Sequence, residues 1–297
     1  LTTVLGQNQY GKAEVRLVRV VRDTPRHSIR DLNVSIALSG ELEATHLTGS
    51  NAQVLPTDTA KNTVYAFARD RGVGEPEDFA IELAGHFVTS QPTIHRARVR
   101  VEEYLWDRIE VTGAAADAPA HSFVRSGTEV RTCEILFDGT AHQAVSGLKE
   151  LTVLNSTGSE FHGFVEDRYT TLRPATDRIL ATRVDARWRH AWTGGDDRPD
   201  FAASYAAAQR HLLEAFATTH SLSLQQTLYA MGRSVIRNLP GVDEIRLSLP
   251  NKHHFLVDLE PFGLENPGEV FHAADRPYGL IEGTVLREGA AQLLPTD

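Results

Sequence analysis

The sequence predicts an α+β chain built from two similar halves, each a set of antiparallel strands with helices on one face. Three observations predict it. Stretches of alternating apolar residues come in groups, two amphipathic helical stretches interrupt each group, and this order is given twice along 297 residues. Residue identity between the halves is weak, so the repeat rests on element order. The boundary is expected near residue 140, giving a first repeat over 1–139 and a second over 140–297.

The first half opens with a strand over 13–21, dense in Val and Leu, and a second extended stretch over 27–42 with a turn signal at Ser39-Gly40. A helix is predicted from Thr57-Asp58, with Val64, Phe67 and Ala68 on one face. Another begins at Pro76 and places Phe79, Leu83 and Phe87 four residues apart. Ala97, Val99 and Val101 then alternate with Arg96, Arg98 and Arg100, so one face of this strand is cationic. Residues 112–120, rich in Ala, Gly, Asp and Pro, read as a loop, 129–137 as a strand, and Asp138-Gly139 as a turn.

In the second half, 147–154 and 179–190 read as extended. Phe201, Tyr205, Leu212 and Phe216 keep helical register over 201–218, and Leu224, Leu228, Met231 and Val235 mark a second amphipathic helix. Ile245, Leu247 and Leu249 alternate as a strand, and 278–287 reads as the last one.

Composition narrows the function classes. With 30 Lys+Arg against 39 Asp+Glu, the formal net charge is −9, which argues against a general binder of nucleic acid or anionic membranes. Hydrophobic residues make up 41% and charged residues 23%, the balance of a globular chain able to bury a core. No apolar run reaches the ~18–20 residues that span a bilayer. Cys133 is the single cysteine, which excludes an intrachain disulfide and a Cys-rich zinc site and points to a reducing compartment. The expected location is cytoplasmic, since the carboxyl end reads Leu-Leu-Pro-Thr-Asp rather than the peroxisomal Ser-Lys-Leu. The sequons at Asn33 and Asn155 read as chance matches in such a chain.

Several catalytic motifs are missing: Gly-x-Gly-x-x-Gly, a Walker loop, His-Glu-x-x-His, Gly-x-Ser-x-Gly and EF-hand spacing. Of the 13 His, the pair His253-His254 is the obvious metal candidate. Adjacent residues on a strand point to opposite faces, so no metal site is expected there.

A set of segments carries a resemblance to a known family. They are Tyr10-Gly11-Lys12, Thr57-Asp58-Thr59-Ala60-Lys61-Asn62-Thr63-Val64-Tyr65 and Leu249-Pro250-Asn251-Lys252-His253-His254-Phe255. Between them lie Ser156-Thr157-Gly158-Ser159-Glu160-Phe161, Gly163-Phe164, Tyr169-Thr170-Thr171-Leu172 and Asp177-Arg178-Ile179-Leu180. In order and spacing this set resembles the urate oxidase (uricase) family from Lys12 to about Gly283. The resemblance implies the tunnelling fold, with two ββααββ-type halves per chain assembled as a homotetramer around a β-barrel tunnel. It implies cofactor-free oxidation of urate by O2 to 5-hydroxyisourate and hydrogen peroxide, at sites shared between subunits, with no metal. One departure is Asn155, where the family usually carries Lys.

Urate is flat, anionic and heteroaromatic, which fixes what must hold it. Arg178 offers a planar fork for one edge, Gln225 a donor and an acceptor for the other, and Phe161 a stacking surface. Taken singly these read as a surface Arg, a capping Gln and a core Phe; the resemblance assigns them to substrate. Thr57 reads as a helix cap, and a helix amino terminus also favours an anionic edge. The resemblance places Thr57 and the Asp58 backbone on substrate across a subunit interface, and uses the backbone of Leu224. It assigns a proton relay to the Lys12 amine, the Thr57 hydroxyl and His253, and it puts the Asn251 amide over the ring to hold O2, peroxide or water. Taken alone, Asn251 reads as a turn residue after Pro250. Two other classes stay open: a zinc-dependent tunnelling-fold enzyme acting on a pterin or purine, and a non-catalytic purine-binding protein.

Overall fold

A computed structural model describes residues 3–111 and 120–296, so the loop read at 112–120 lies outside the described residues except for its last position. The chain divides into two compact units, Leu1–Gly147 with Arg189–Ala202, and Leu148–Trp188 with Ala203–Asp297.

The first unit contains β1 (Tyr10–Val21), β2 (Ser28–Gly40), α1 (Glu43–Thr48), α2 (Thr57–Asp70), α3 (Pro76–Ser90), β3 (Ile94–Arg108) and β4 (Phe123–Phe137). β1 to β4 pair antiparallel in chain order. Alternation sends Leu32, Val34, Ile36 and Leu38 of β2, with Ala97, Val99 and Val101 of β3, to the helix face. There they meet Val64 and Phe67 of α2 and Phe79, Leu83 and Phe87 of α3, all buried. The apolar stripe read at spacings of four is therefore the buried face of α3. Pro76 opens that helix with Glu77 and Asp78 in its first turn, as the helix dipole favours.

One local expectation needs correction here, and one element is new. Thr57 does not cap α2: Pro56 is the N-cap residue and Thr57 is the first helical residue, with no side-chain cap. The proline ring fixes an extended entry, and the helix starts one residue earlier than the cap reading required. The short helix α1, ended by Gly49 at a φ of 76°, was not foreseen, since six residues are too few to show a period.

The chain between the helix-bearing segments forms β5 (His142–Asn155) and β6 (Leu180–His190), and the second unit continues with α4 (Phe201–Thr218), α5 (Leu224–Asn238), β7 (Val242–Leu256) and β8 (Phe271–Leu286). Trp188, Leu212, Leu228, Met231, Val235, Ile245 and Leu247 form its core. α5 packs on β7 and β8 at close range. A Cβ on Gly232 would stand 2.6 Å from Val285 Cγ2, and one on Gly283 would stand 2.9 Å from Leu228 Cδ2, so small residues set that approach.

Asn251 is not a turn residue. It lies inside β7 opposite Gly279, because the strand runs through Pro250, whose carbonyl accepts the Thr182 hydroxyl at 2.9 Å. The register breaks between Asn251 and His253, which re-aims the residues that follow.

Candidate active site

The first unit holds Lys12, Thr57 and Asp58 close together. Lys12 pairs with Ile36 in β2, immediately before a register break at which Glu14 takes a φ of 57°. The Glu14 N–H is not lost there, since it donates to Ser35 Oγ at 3.0 Å. Gly11 is required beside it, because a Cβ would fall 1.8 Å from the Ile36 carbonyl oxygen. Tyr10 then fixes the approach to α2: its hydroxyl accepts the Leu55 N–H at 2.9 Å, two residues before Thr57. Burial raises the Tyr10 pKa, opposed by that hydrogen bond.

At the start of α2, the first turn has backbone N–H groups without intrahelical partners. The Asp58 carboxylate is taken by Lys61 and Asn62 of its own helix, the latter at 3.1 Å. Its pKa is lowered, first by the Lys61 hydrogen bond and charge, and further by the positive charge of Lys12. Lys12 is thus within electrostatic reach of this turn. The Asp58 side chain is occupied, which leaves its N–H as the group free to meet a ligand.

The second unit holds Phe161, Arg178, His253 and the start of α5. Phe161 pairs with Ala175 through two backbone hydrogen bonds, at 2.8 and 2.9 Å, so the ring is carried into register with the segment leading to Arg178. The preceding residues bond the other way: Glu160 N–H donates to the Ser221 carbonyl at 2.7 Å, and Ser221 leads into α5. One short segment therefore ties the aromatic ring, the arginine and the helix start together. The Glu160 carboxylate reinforces the junction by accepting from His162 at 2.8 Å and from His220.

Arg178 is half-buried. Its Nε donates to Ser159 Oγ at 3.3 Å, and its guanidinium lies 5.1 Å from the Phe161 ring centre. Burial lowers its pKa, and no carboxylate among the described residues pairs with it. A cation desolvated without an anion is unfavourable, and it is the arrangement an anionic ligand relieves. Phe164 stacks on Phe161 at 5.1 Å and 17°, backing the ring.

His253 stacks on Phe255 at 5.8 Å, as residues two apart on one strand face do. Its pKa is lowered, chiefly by burial and then by the charges of Arg178 and His254. The imidazole is therefore neutral near pH 7 and able to take a proton. Its neighbour His254 is bonded to the Lys252 carbonyl at 3.1 Å. Among the described residues, no three of His, Cys, Asp and Glu are grouped to hold a metal ion.

α5 begins at Leu224, whose side chain is buried in the core, so only its backbone faces outward from the helix start. Ser223 caps it by accepting the Gln226 N–H at 3.2 Å, and Gln226 reaches back to the Leu222 N–H at 2.7 Å. The Ser-x-x-Gln spacing carries that signal in the sequence. With Gln226 so used, the adjacent Gln225 is exposed. Asn155, at the end of β5, donates to the Phe216 carbonyl at 3.0 Å and satisfies one of the last acceptors of α4.

Fold and site together define an α+β protein of antiparallel design with a stacking ring, an arginine that no carboxylate among the described residues pairs with, and a neutral histidine, suited to a flat anion. The family model for uricase matches residues 8–136 and 144–282, and the chain belongs to the uricase family. It is 56% identical to the uricase of Arthrobacter globiformis over 287 residues, covering 97% of this chain and 91% of that one. It is 37% identical to the uricase of Schizosaccharomyces pombe over 296 residues, covering 97% and 99%. The crystal structure of the Arthrobacter globiformis uricase superposes with a TM-score of 0.92 at 55% identity, covering 99% of both chains. The fold is that of the uricases, the tunnelling fold.

Proposed function

We propose that this chain is a urate oxidase, in which one urate, one O2 and one water give one 5-hydroxyisourate and one hydrogen peroxide. The observation that carries the reading is Arg178, half-buried over Phe161 with no carboxylate partner among the described residues, in a chain of the uricase family. Urate stacks on Phe161, and its acidic edge takes the Arg178 fork. The Gln225 amide and the Leu224 N–H meet the remaining polar atoms. Lys12, Thr57 and His253 remove a ring proton, leaving an electron-rich dianion. One electron passes to O2, the radical pair combines as a hydroperoxide, and peroxide leaves before water adds. Asn251 holds the oxygen species over the ring. The substrate is itself the reductant, so no step calls on a metal or an organic cofactor.

We place the Thr57 and Asp58 contacts on a neighbouring subunit of a homotetramer, and the protein in the cytoplasm. Purified protein should bleach the ultraviolet absorbance of urate while consuming O2 and releasing peroxide in equal amounts. Dialysis against a strong chelator should leave the rate unchanged. Urate binding without O2 uptake would make it a binding protein, and activity restored by zinc would make it a metal enzyme of the same fold.

A further inference from the structure

The face of β3 turned away from the helices carries a second set of unpaired cations. Arg100 is matched by Glu134 across β4. The side chains of Arg96 and Arg98, by contrast, make no hydrogen bond or ion pair with another described residue. Their neighbours in register explain this: Ser39 and Ala37 of β2 stand opposite them, and Leu136 of β4 stands opposite Arg98. These residues supply space and a hydroxyl but no charge.

A cleft of about 700 Å³ opens over this face, with Gln7, Gln9, Ser39, Arg96 and Arg98 among its walls, and none of the described residues lining it is acidic. Arg98 has its pKa lowered by burial, then by repulsion from Arg100 and Arg96, with Glu134 only partly opposing. Two cations held close together, with no carboxylate among the described residues on either, are a local conflict that a bound anion would relieve.

We propose that this cleft is a binding site for a phosphate-class oxyanion, either free phosphate or a phosphate monoester. Arg96 and Arg98 are two apart on one strand, so their backbones lie about 7 Å apart on the same face and both forks are within reach of one tetrahedral group. The Ser39 hydroxyl and the amides of Gln7 and Gln9 supply further donors. None of these residues belongs to the set assigned to urate.

The test is calorimetric titration of the intact protein with inorganic phosphate, and separately with ribose 5-phosphate, at constant ionic strength in chloride. Saturable binding is expected, weakened at least tenfold by Arg96→Gln and by Arg98→Gln and unchanged by Arg168→Gln. Equal affinity for both probes assigns the site to free phosphate, and tenfold tighter binding of the ester assigns it to a monoester. In phosphate-free buffer of low salt, Arg98→Gln should melt at the parent temperature or above, because it removes a repelled cation. Absence of saturable binding in the parent, or parent affinity in the exposed-site variant Arg96→Gln, would overturn the proposal.

Discussion

Arg178 and Lys12 divide the work of the site between binding and chemistry, and substitutions separate the two. Arg178→Ala removes the fork and leaves a half-buried apolar site, so affinity for a non-reacting urate analogue should fall about tenfold to a hundredfold, the scale of a charged hydrogen bond. Lys12→Met keeps the aliphatic stem and removes the amine, so kcat should fall about 10²-fold or more while analogue affinity stays near the parent value. Equilibrium titration with the analogue and steady-state kinetics read the two effects apart. A Lys12→Met protein with the parent kcat would remove Lys12 from the relay. The chemistry of these residues was legible only through the family pattern. Phe161 and Arg178 are 17 positions apart, and nothing in their local spacing says that the Ala175 bridge brings them together. Tyr10 shows the same limit, since its bond to Leu55 spans 45 positions and has no periodic signature.

At the scale of elements, Asn155 offers the cleanest test, because its one visible task is to meet the Phe216 carbonyl at the end of α4. Asn155→Ala should cost about 1 kcal/mol by denaturant unfolding, the usual net value of such a bond, with kcat unchanged. A loss in kcat without a loss in stability would give Asn155 a catalytic role instead. Elements with a sustained period were readable in advance: α3 and α5 bury the residues that recur at spacings of three and four, and β3 alternates Ala97, Val99 and Val101 inward with arginines outward. What was not readable depends on single backbone events. The bulge after Lys12, the entry to α2 at Pro56 and the passage of β7 through Pro250 are each decided by contacts with another strand or segment. Local propensity favoured a Thr cap and a turn after proline, and tertiary pairing overrode both.

At the scale of the whole molecule, acid stability and assembly are the properties to test. Within the first unit, Ser146 Oγ donates to Glu77 at 2.6 Å and stands 2.9 Å from His190 Nε2, with Arg131 on the same carboxylate at 2.7 Å. Burial lowers the His190 pKa from 6.5 to about 4 and raises that of Glu77. The two act in opposite directions. The unfolded histidine binds a proton that the folded one refuses, so its contribution is full above pH 6.5 and is lost as the pH falls toward 4. Glu77 gains on protonation as the pH falls. Replacing His190 by Gln should therefore flatten the fall in Tm across that window, removing a term of about 3 kcal/mol. An unchanged slope would assign the acid loss elsewhere.

Assembly is tested by complementation. Lys12, Thr57 and Asp58 lie in the first unit and Arg178, Gln225 and His253 in the second, so a site shared between subunits joins one set from each of two chains. β1 and β8 are the two ends of the strand order, and pairing such edges between subunits removes exposed templates for aggregation. Thr57→Ala breaks the relay and Arg178→Ala weakens the binding edge, so at urate concentrations well below the weakened affinity each homo-oligomer should turn over little urate. After gentle dissociation and joint reassembly, some sites pair the intact Arg178 of one chain with the intact Thr57 of the other, and part of the activity should return. Mixed oligomers verified by mass that stay inactive, or an isolated monomer with full turnover, would rule out the shared site.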